Sequence, residues 1–252
     1  MSSKQPVKPF VYLILGAAGS GRRAVVADLI EGGLDETDRP AVLVSDAEGA
    51  DATELPGTRT WKWTGEAIAG TLPADATQVF FVADGRSNPV DQVEAFKPWL
   101  EAQGGELARV LCVVDCQLAG QHPELLAWYD ACVHFSDVVL LNRREGVENK
   151  WISDFQGHFK KQFLPALFEL VKGGRVKNPR LVLEPEARRM SHFFEAEPDW
   201  TVGGSDGDEL DEEAGDGDEE EVELVAKEDP YLERRAGGRR VKQIPDVSGF
   251  LK

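Results

Sequence analysis

The sequence lacks the cysteine pattern of a disulfide-rich or zinc-binding protein. Its 252 residues include three cysteines, Cys112, Cys116 and Cys132, without paired C-x-x-C spacing. They are too few and too irregular for a disulfide framework, and a structural zinc site needs four closely spaced ligands. The four histidines show no metal-ligand spacing either. We therefore expect reduced thiols in a core and assign no metal site.

Long apolar runs are also missing. No run approaches the roughly 20 residues that span a bilayer. The apolar residues 10–16, preceded by Lys4 and Lys8, imitate a short signal peptide. The same residues also suit a strand that leads into a glycine loop, and we favour that interpretation. The sequence predicts a cytoplasmic protein that does not associate with membranes.

Positive charge is absent from one long stretch. The formal net charge is −17, yet residues 195–223 hold fifteen acidic residues and no lysine or arginine. Without that stretch the chain carries a net charge of −2. The remainder is therefore close to neutral and shows no broad basic surface, so we expect no nucleic-acid partner.

The rest of the chain alternates between apolar runs typical of buried strands and segments with helical spacing of apolar residues. Strands without polar alternation are buried on both faces, as in a parallel sheet covered by helices. The sequence predicts an α/β fold, a parallel sheet with helices on both faces. Predicted strands span residues 11–15, 41–45, 79–83, 110–115, 138–141 and 180–184, and predicted helices span residues 25–33, 88–103, 123–134 and 147–171.

Composition divides the chain into three parts. Residues 1–194 form the predicted α/β domain. We expect residues 195–226 to be a disordered acidic linker, because they offer too little apolar surface to offset chain entropy. Residues 227–252 mix basic and apolar side chains. We expect residues 229–252 to be a docking peptide for an unknown protein partner, held away from the core by the repelling linker. The alternative is a loose, salt-sensitive contact of the basic cluster with the linker.

A glycine-rich loop follows the first strand and opens the first helix. In that place backbone N–H groups and the helix dipole can hold phosphate oxygens. The usual pattern is G-x-x-x-x-G-K-S/T, whose lysine reaches the β- and γ-phosphates and whose hydroxyl binds Mg²⁺. An alternative is that the glycines merely form a tight turn. The candidate phosphate-binding residues are Gly16, Ala17, Ala18, Gly19, Ser20, Gly21, Arg22 and Arg23. With this loop, the predicted parallel sheet is P-loop NTPase-like, and residues 1–194 are predicted to be a P-loop nucleotide-binding-like domain.

A second motif lies at the end of a later strand. Asn142 and Glu145 stand in a segment close to N-K-x-D, which in GTP-binding folds supplies an asparagine that orders the loop and a carboxylate that accepts from guanine. We include both as candidate nucleotide-binding residues. Taken alone, the same pair is typical of a helix-capping turn.

The order of these motifs resembles the CobW/HypB/UreG family of P-loop metal-trafficking GTPases, most closely its CobW-like branch, over residues 10 to 172. The loop matches the family's G-x-x-G-x-G-K-T, and Asp46 matches an acidic position associated with Mg²⁺. Residues 82–89, 112–115 and 137–145 match its later segments. The resemblance implies GTP as the ligand.

The departures from the family fall at positions that its chemistry needs. Arg22 and Arg23 replace the lysine and the threonine, Val82 replaces a glutamate, and the family's metal-binding cysteines are replaced around Trp61 and Trp63. Arginine has no hydroxyl with which to bind Mg²⁺. Asp84, two residues beyond Val82, is a candidate for a Mg²⁺ contact in place of the missing glutamate. Metal delivery is therefore not carried over.

Two functions stay open on the sequence alone. The first is GTP binding with weak or absent hydrolysis. The second is a pseudo-GTPase scaffold that binds no nucleotide and recruits a partner through its C-terminal residues.

Overall fold

Strands and helices alternate along most of the chain. The computed structural model describes residues 8–48, 55–195 and 228–251. The strands are β1 (Phe10–Leu15), β2 (Pro40–Ser45), β3 (Arg59–Trp63), β4 (Ile68–Ala69), β5 (Gln78–Val82), β6 (Glu106–Asp115), β7 (Val138–Asn142) and β8 (Leu167–Leu170). The helices are α1 (Arg22–Gly33), α2 (Pro89–Ala102), α3 (Cys116–Gln121), α4 (Leu126–His134), α5 (Asn149–Lys160) and α6 (Pro179–Leu183).

The eight strands form one sheet in the order β4-β3-β2-β5-β1-β6-β7-β8. Every neighbouring pair is parallel except β3 and β4, which are antiparallel. Parallel strands need crossover connections, and the helices between them supply these. The predicted α/β class with a parallel sheet is therefore confirmed.

Helices cover both faces of the sheet, and strand β1 shows how the two faces are divided. Val11, Leu13 and Leu15 belong to one buried cluster, whereas Tyr12 and Ile14 belong to the other, as the two-residue period of a strand requires. The first cluster is completed by residues of α2, α4 and α5. The second is completed by residues of α1 and α6.

Two predicted elements are wrong. The long helix predicted over residues 147–171 ends at Lys160, and β8 follows, because Pro165 lacks the N–H that would continue a helix. The strand predicted over residues 180–184 is helix α6, which begins with Pro179 and is capped by the Asn178 side chain accepting from the Leu181 amide. Strands β3, β4 and β8 and helix α3 were absent from the predicted elements.

The C-terminal residues differ most from expectation. The structure places residues 228–251 on the core instead of away from it, with Tyr231 and Val247 buried in the first cluster. The disordered linker predicted for residues 195–226 lies outside the described residues except for Glu195. The predicted protein partner stays a prediction. Within the described residues, no helix combines the length and apolarity needed to cross a membrane.

Candidate functional site

The loop between β1 and α1 depends on its glycines. Gly16, Gly19 and Gly21 have φ values of 132°, 81° and 84°. Residues with a side chain rarely adopt such positive φ values, whereas glycine adopts them at little cost. Gly21 is also the residue before α1 and brings the chain into the helix in a left-handed conformation. The sequence pattern therefore encodes one particular loop conformation.

Two close backbone contacts fix the loop against its neighbours. A Cβ atom on Gly16 would lie 2.4 Å from the Val113 carbonyl oxygen in β6. A Cβ atom on Gly85 would lie 2.2 Å from the Ala18 nitrogen, and the Ala18 N–H donates to the Gly85 carbonyl oxygen at 2.9 Å. The loop is therefore packed between β6 and the segment that follows β5.

Arg22 takes the place of the lysine in the phosphate-loop pattern, and its side chain is buried inside the protein. It is 2% exposed. Its Nη1 donates to the Ala83 carbonyl oxygen at 2.6 Å, and its Nη2 forms an ion pair with the Glu48 carboxylate. Glu48 belongs to the short turn Asp46–Glu48 that follows β2. The charge of Arg22 is thus met by the protein's own carboxylate.

The interior of the loop is polar and incompletely satisfied. Ser20 Oγ, Arg22 Nε and Glu48 Oε2 are buried atoms without a hydrogen-bond partner among the described residues. Most buried polar groups in proteins have such a partner. The arrangement therefore differs from a tightly packed apolar turn.

Asn142 braces the loop from β7. Its Nδ2 donates to the Ser20 carbonyl oxygen at 2.9 Å, and a Cβ atom on Gly21 would lie 2.6 Å from that nitrogen. Asn142 is buried, so this amide is held by its surroundings. The structure therefore brings Asn142 and the predicted loop residues together.

Glu145 is placed differently. Its side chain is exposed, and its carbonyl oxygen accepts from Gln117 Nε2 at 2.6 Å. The turn before it passes through Arg143, which has a φ of 50° and lies 3.5 Å from the Asp115 carboxylate. Among the described residues, no contact joins the Glu145 carboxylate to the loop. Its predicted role in binding guanine stays a prediction.

The structure places the two carboxylates named as candidate Mg²⁺ contacts, Asp84 and Asp46, differently. Asp84 is buried, but its Oδ1 accepts from the Arg86 amide at 3.0 Å and its Oδ2 accepts from Ser87 Oγ at 2.6 Å, so both oxygens hold the turn before α2. Asp46 is exposed. In the described parts of the chain, no three His, Cys, Asp or Glu side chains converge as a metal site would require.

Two residues of this site were missed by sequence reasoning. Glu48 lies two positions after Asp46, and the family pattern directed attention to Asp46 alone. Gly85 stands within the matched segment, yet its backbone contact with Ala18 joins two distant parts of the chain. The sequence did offer a signal for Glu48, since it is an acidic residue just after the end of a predicted strand.

The tryptophan and cysteine residues near this region belong to the core. Trp61 is 1% exposed and its Nε1 donates to the Val82 carbonyl oxygen at 3.0 Å. All three cysteines are free and buried. Burial raises the pKa of the Cys116 thiol to about 12, so this thiol stays protonated and unreactive at neutral pH.

Comparison with known proteins gives a fold-level likeness. No protein-family model matches the chain, and no curated protein matches it. Among solved structures, the Zn(II)-bound YjiA GTPase from E. coli is 12% identical with a TM-score of 0.40, covering 72% of this chain and 66% of that chain. A Zn(II)-bound triple mutant of the YjiA GTPase is 15% identical with a TM-score of 0.43, covering 72% and 67%. The likeness is too low to carry an activity over to this chain.

Proposed function

We propose that this protein is a P-loop GTPase-like scaffold whose phosphate loop is closed by its own ion pair and which does not hydrolyse GTP. The observation that carries the proposal is the position of Arg22. In an active loop the cation at this place reaches the β- and γ-phosphates. Here the guanidinium is buried and held by Glu48 and by the Ala83 carbonyl oxygen. A triphosphate would have to displace both contacts before it met the charge.

The residues that stand at the usual magnesium-binding positions support the lack of hydrolysis. Phosphoryl transfer in P-loop proteins depends on a metal that bridges the phosphates and on a hydroxyl that holds it. Arg23 offers no hydroxyl, Val82 offers no carboxylate, and both oxygens of Asp84 are engaged in their own turn. No catalytic residue is assigned.

A second candidate is GTP binding with weak or absent hydrolysis, in which GTP is the ligand that the resemblance to the CobW-like branch implies. The loop geometry favours it. The three glycines hold left-handed conformations, Asn142 braces the loop, and Ser20 Oγ and Arg22 Nε have no partner among the described residues. In this case a nucleotide would replace Glu48 as the partner of Arg22.

Thermal unfolding with GTP, GDP and ATP, each with and without Mg²⁺, separates the two. A nucleotide at 100 times its Kd adds about 2.7 kcal/mol to the free energy of unfolding. We expect no shift for the unmodified protein and a positive shift for Glu48→Gln, which releases Arg22 from its ion pair. Asp46→Asn is the matched control, because it removes an exposed carboxylate two positions away.

A nucleotide-dependent shift in the unmodified protein would contradict the closed-loop proposal and favour the second candidate. In that case Gly21→Val, whose side chain would meet Asn142, should abolish the shift if the loop is the binding site. Steady GTP turnover by the unmodified protein would contradict both candidates.

A further inference from the structure

Residues 228–251, here called the tail, lie on the core as a self-contained unit. Every backbone–backbone hydrogen bond described for the tail joins two tail residues, including Val241 N to Glu233 O at 2.9 Å and Arg235 N to Arg239 O at 2.8 Å. No strand of the described sheet pairs with it. The tail is therefore attached to the described core through side chains alone.

The first part of the attachment is electrostatic. Arg240 Nη2 lies 2.7 Å from Asp91 Oδ1 and also pairs with Glu94, and Arg234 Nη2 lies 2.6 Å from Glu94 Oε2. Asp91 and Glu94 are three positions apart on α2 and so lie on the same face of that helix. Their side chains are half-exposed. This surface of the core is therefore acidic and matches the basic tail.

The second part of the attachment is aromatic. The Tyr231 ring lies 4.7 Å from the His134 ring and 6.0 Å from the Phe135 ring, measured between centroids. Just before it, Asp229 Oδ2 lies 2.8 Å from His134 Nε2. His134 ends α4, and Tyr231 is buried there. The core thus offers the rings of His134 and Phe135 beside an acidic helix face.

We propose that this surface of α2 and α4 is a peptide-binding site, that the tail is its tethered occupant, and that a partner protein with a basic segment containing a tyrosine takes the tail's place. Two features of the contact support exchange. The carboxylates of α2 face water, so salt and competing cations weaken the ion pairs. The tail keeps its own backbone hydrogen bonds, so its release breaks no backbone pairing with the core.

The tether explains why the tail occupies the site in the intact chain. A covalently linked ligand binds at a high effective concentration, and a free competitor of the same affinity is therefore disfavoured. A partner segment succeeds where it binds more tightly or where the tail's own contacts are weakened. The site is thus expected to bind external peptide weakly while the tail is intact.

A labelled synthetic peptide of residues 228–252 tests this in the full-length chain by fluorescence anisotropy. We expect weak binding to the unmodified chain and binding on the order of tenfold tighter or more to a chain carrying Tyr231→Ala and Arg240→Ala. Arg239→Ala is the matched control. Its arginine neighbours Arg240 but is exposed, so this chain should bind the peptide as weakly as the unmodified one.

Changes in the core separate this site from non-specific attraction. Adding Asp91→Asn and Glu94→Gln to the double variant should remove the gain in affinity. Equal affinity for the unmodified and double-variant chains would overturn the proposal, as would a gain that survives the loss of both carboxylates.

A double variant whose core unfolds would show the tail to be an integral part of the domain. Concentration-dependent dimers of the unmodified chain that the double variant lacks would identify a second copy as the occupant instead. Both results overturn the proposal.

Discussion

The protein uses an arginine–carboxylate contact in two regions, and the two contacts differ in their exposure to water. At the loop between β1 and α1, the side chains of Arg22 and its partner Glu48 are 1% and 9% exposed. At the tail, Arg240 is 8% exposed, but its partners Asp91 and Glu94 are 43% and 38% exposed. The same chemistry is therefore enclosed in one region and open to solvent in the other.

This difference decides what each contact does. Removing one member of a buried pair leaves the other charge without water to solvate it, which is strongly destabilising. Removing one member of a half-exposed pair lets water solvate the other, and the loss is small. We therefore expect the loop ion pair to be insensitive to salt, whereas the ion pairs of the tail should weaken as salt is added.

The largest effect is expected at the loop. Glu48→Ala leaves the buried Arg22 guanidinium with only the Ala83 carbonyl oxygen as a described partner of its Nη atoms. We expect the free energy of unfolding to fall by about 3 kcal/mol, measured by urea denaturation.

Two further variants test whether the charge is the cause. Asp46→Ala removes an exposed carboxylate from the same turn and should change stability by less than about 0.5 kcal/mol. Adding Arg22→Met to Glu48→Ala should recover much of the loss, since an apolar pair often replaces a buried ion pair without cost. A Glu48→Ala protein as stable as the unmodified one would refute the comparison.

The brace between β7 and the loop should have the next largest effect. Asn142→Ala removes the donor to the Ser20 carbonyl oxygen and leaves that oxygen without this bond. We expect a loss of about 1.5 kcal/mol in the same denaturation measurement. Asn149→Ala, at an exposed position, serves as the control and should stay close to the unmodified protein. Equal losses for the two would show that the brace contributes nothing specific.

The electrostatic contact of the tail should contribute less. Arg240→Ala is expected to lower the free energy of unfolding by about 1 kcal/mol, and the loss should shrink as salt is added. Arg239→Ala removes the same charge from an exposed position and should have little effect. If Arg240→Ala lowered the free energy of unfolding by more than Glu48→Ala does, and did so at every salt concentration, the comparison between the enclosed and the exposed ion pair would be wrong.

The smallest effect concerns pH. Burial raises the pKa of Asp229, but hydrogen bonds from His134, Ser191 and the Tyr231 amide outweigh it, so the net pKa lies below the ordinary value of 3.8. A lowered carboxylate pKa means stabilisation that is complete above the ordinary value and is lost as the pH falls through the lowered one. Asp229→Asn should therefore be less stable than the unmodified protein near neutral pH, and the difference should shrink below about pH 4. A difference in stability that grows on acidification would show that the pKa of Asp229 is not lowered.

Much of the fold follows from local pattern. The apolar runs that became β1, β2, β5, β6 and β7 are buried on both faces, and this leaves a clear signal in the sequence. Strands β3 and β8 lie towards the edges of the sheet and are only partly buried, so their patterns are weaker. Helix α6 is a short apolar run, in which strand and helix patterns cannot be told apart by periodicity.

The site was less predictable because its contacts join distant parts of the chain. Glu48 meets Arg22 across 26 positions, and Arg240 meets Asp91 across 149. Local composition predicted that the basic C-terminal residues would be held away from the core. It did not reveal that Asp91 and Glu94 on α2 would pair with arginines of the tail. Such pairings depend on tertiary packing, which no spacing rule encodes.

The hydrogen bond between Ala18 and Gly85 connects the loop to the segment that leads into α2, the helix whose carboxylates pair with the tail. Gly85 lies six positions before Asp91, on which Arg240 rests, and its carbonyl oxygen accepts the Ala18 amide hydrogen. A shift of the first turn of α2 would therefore pull on the loop through that bond. Exchange of the Ala18 amide hydrogen with solvent would report the opening of this bond, and comparing the unmodified chain with Arg240→Ala would test whether the tail affects it.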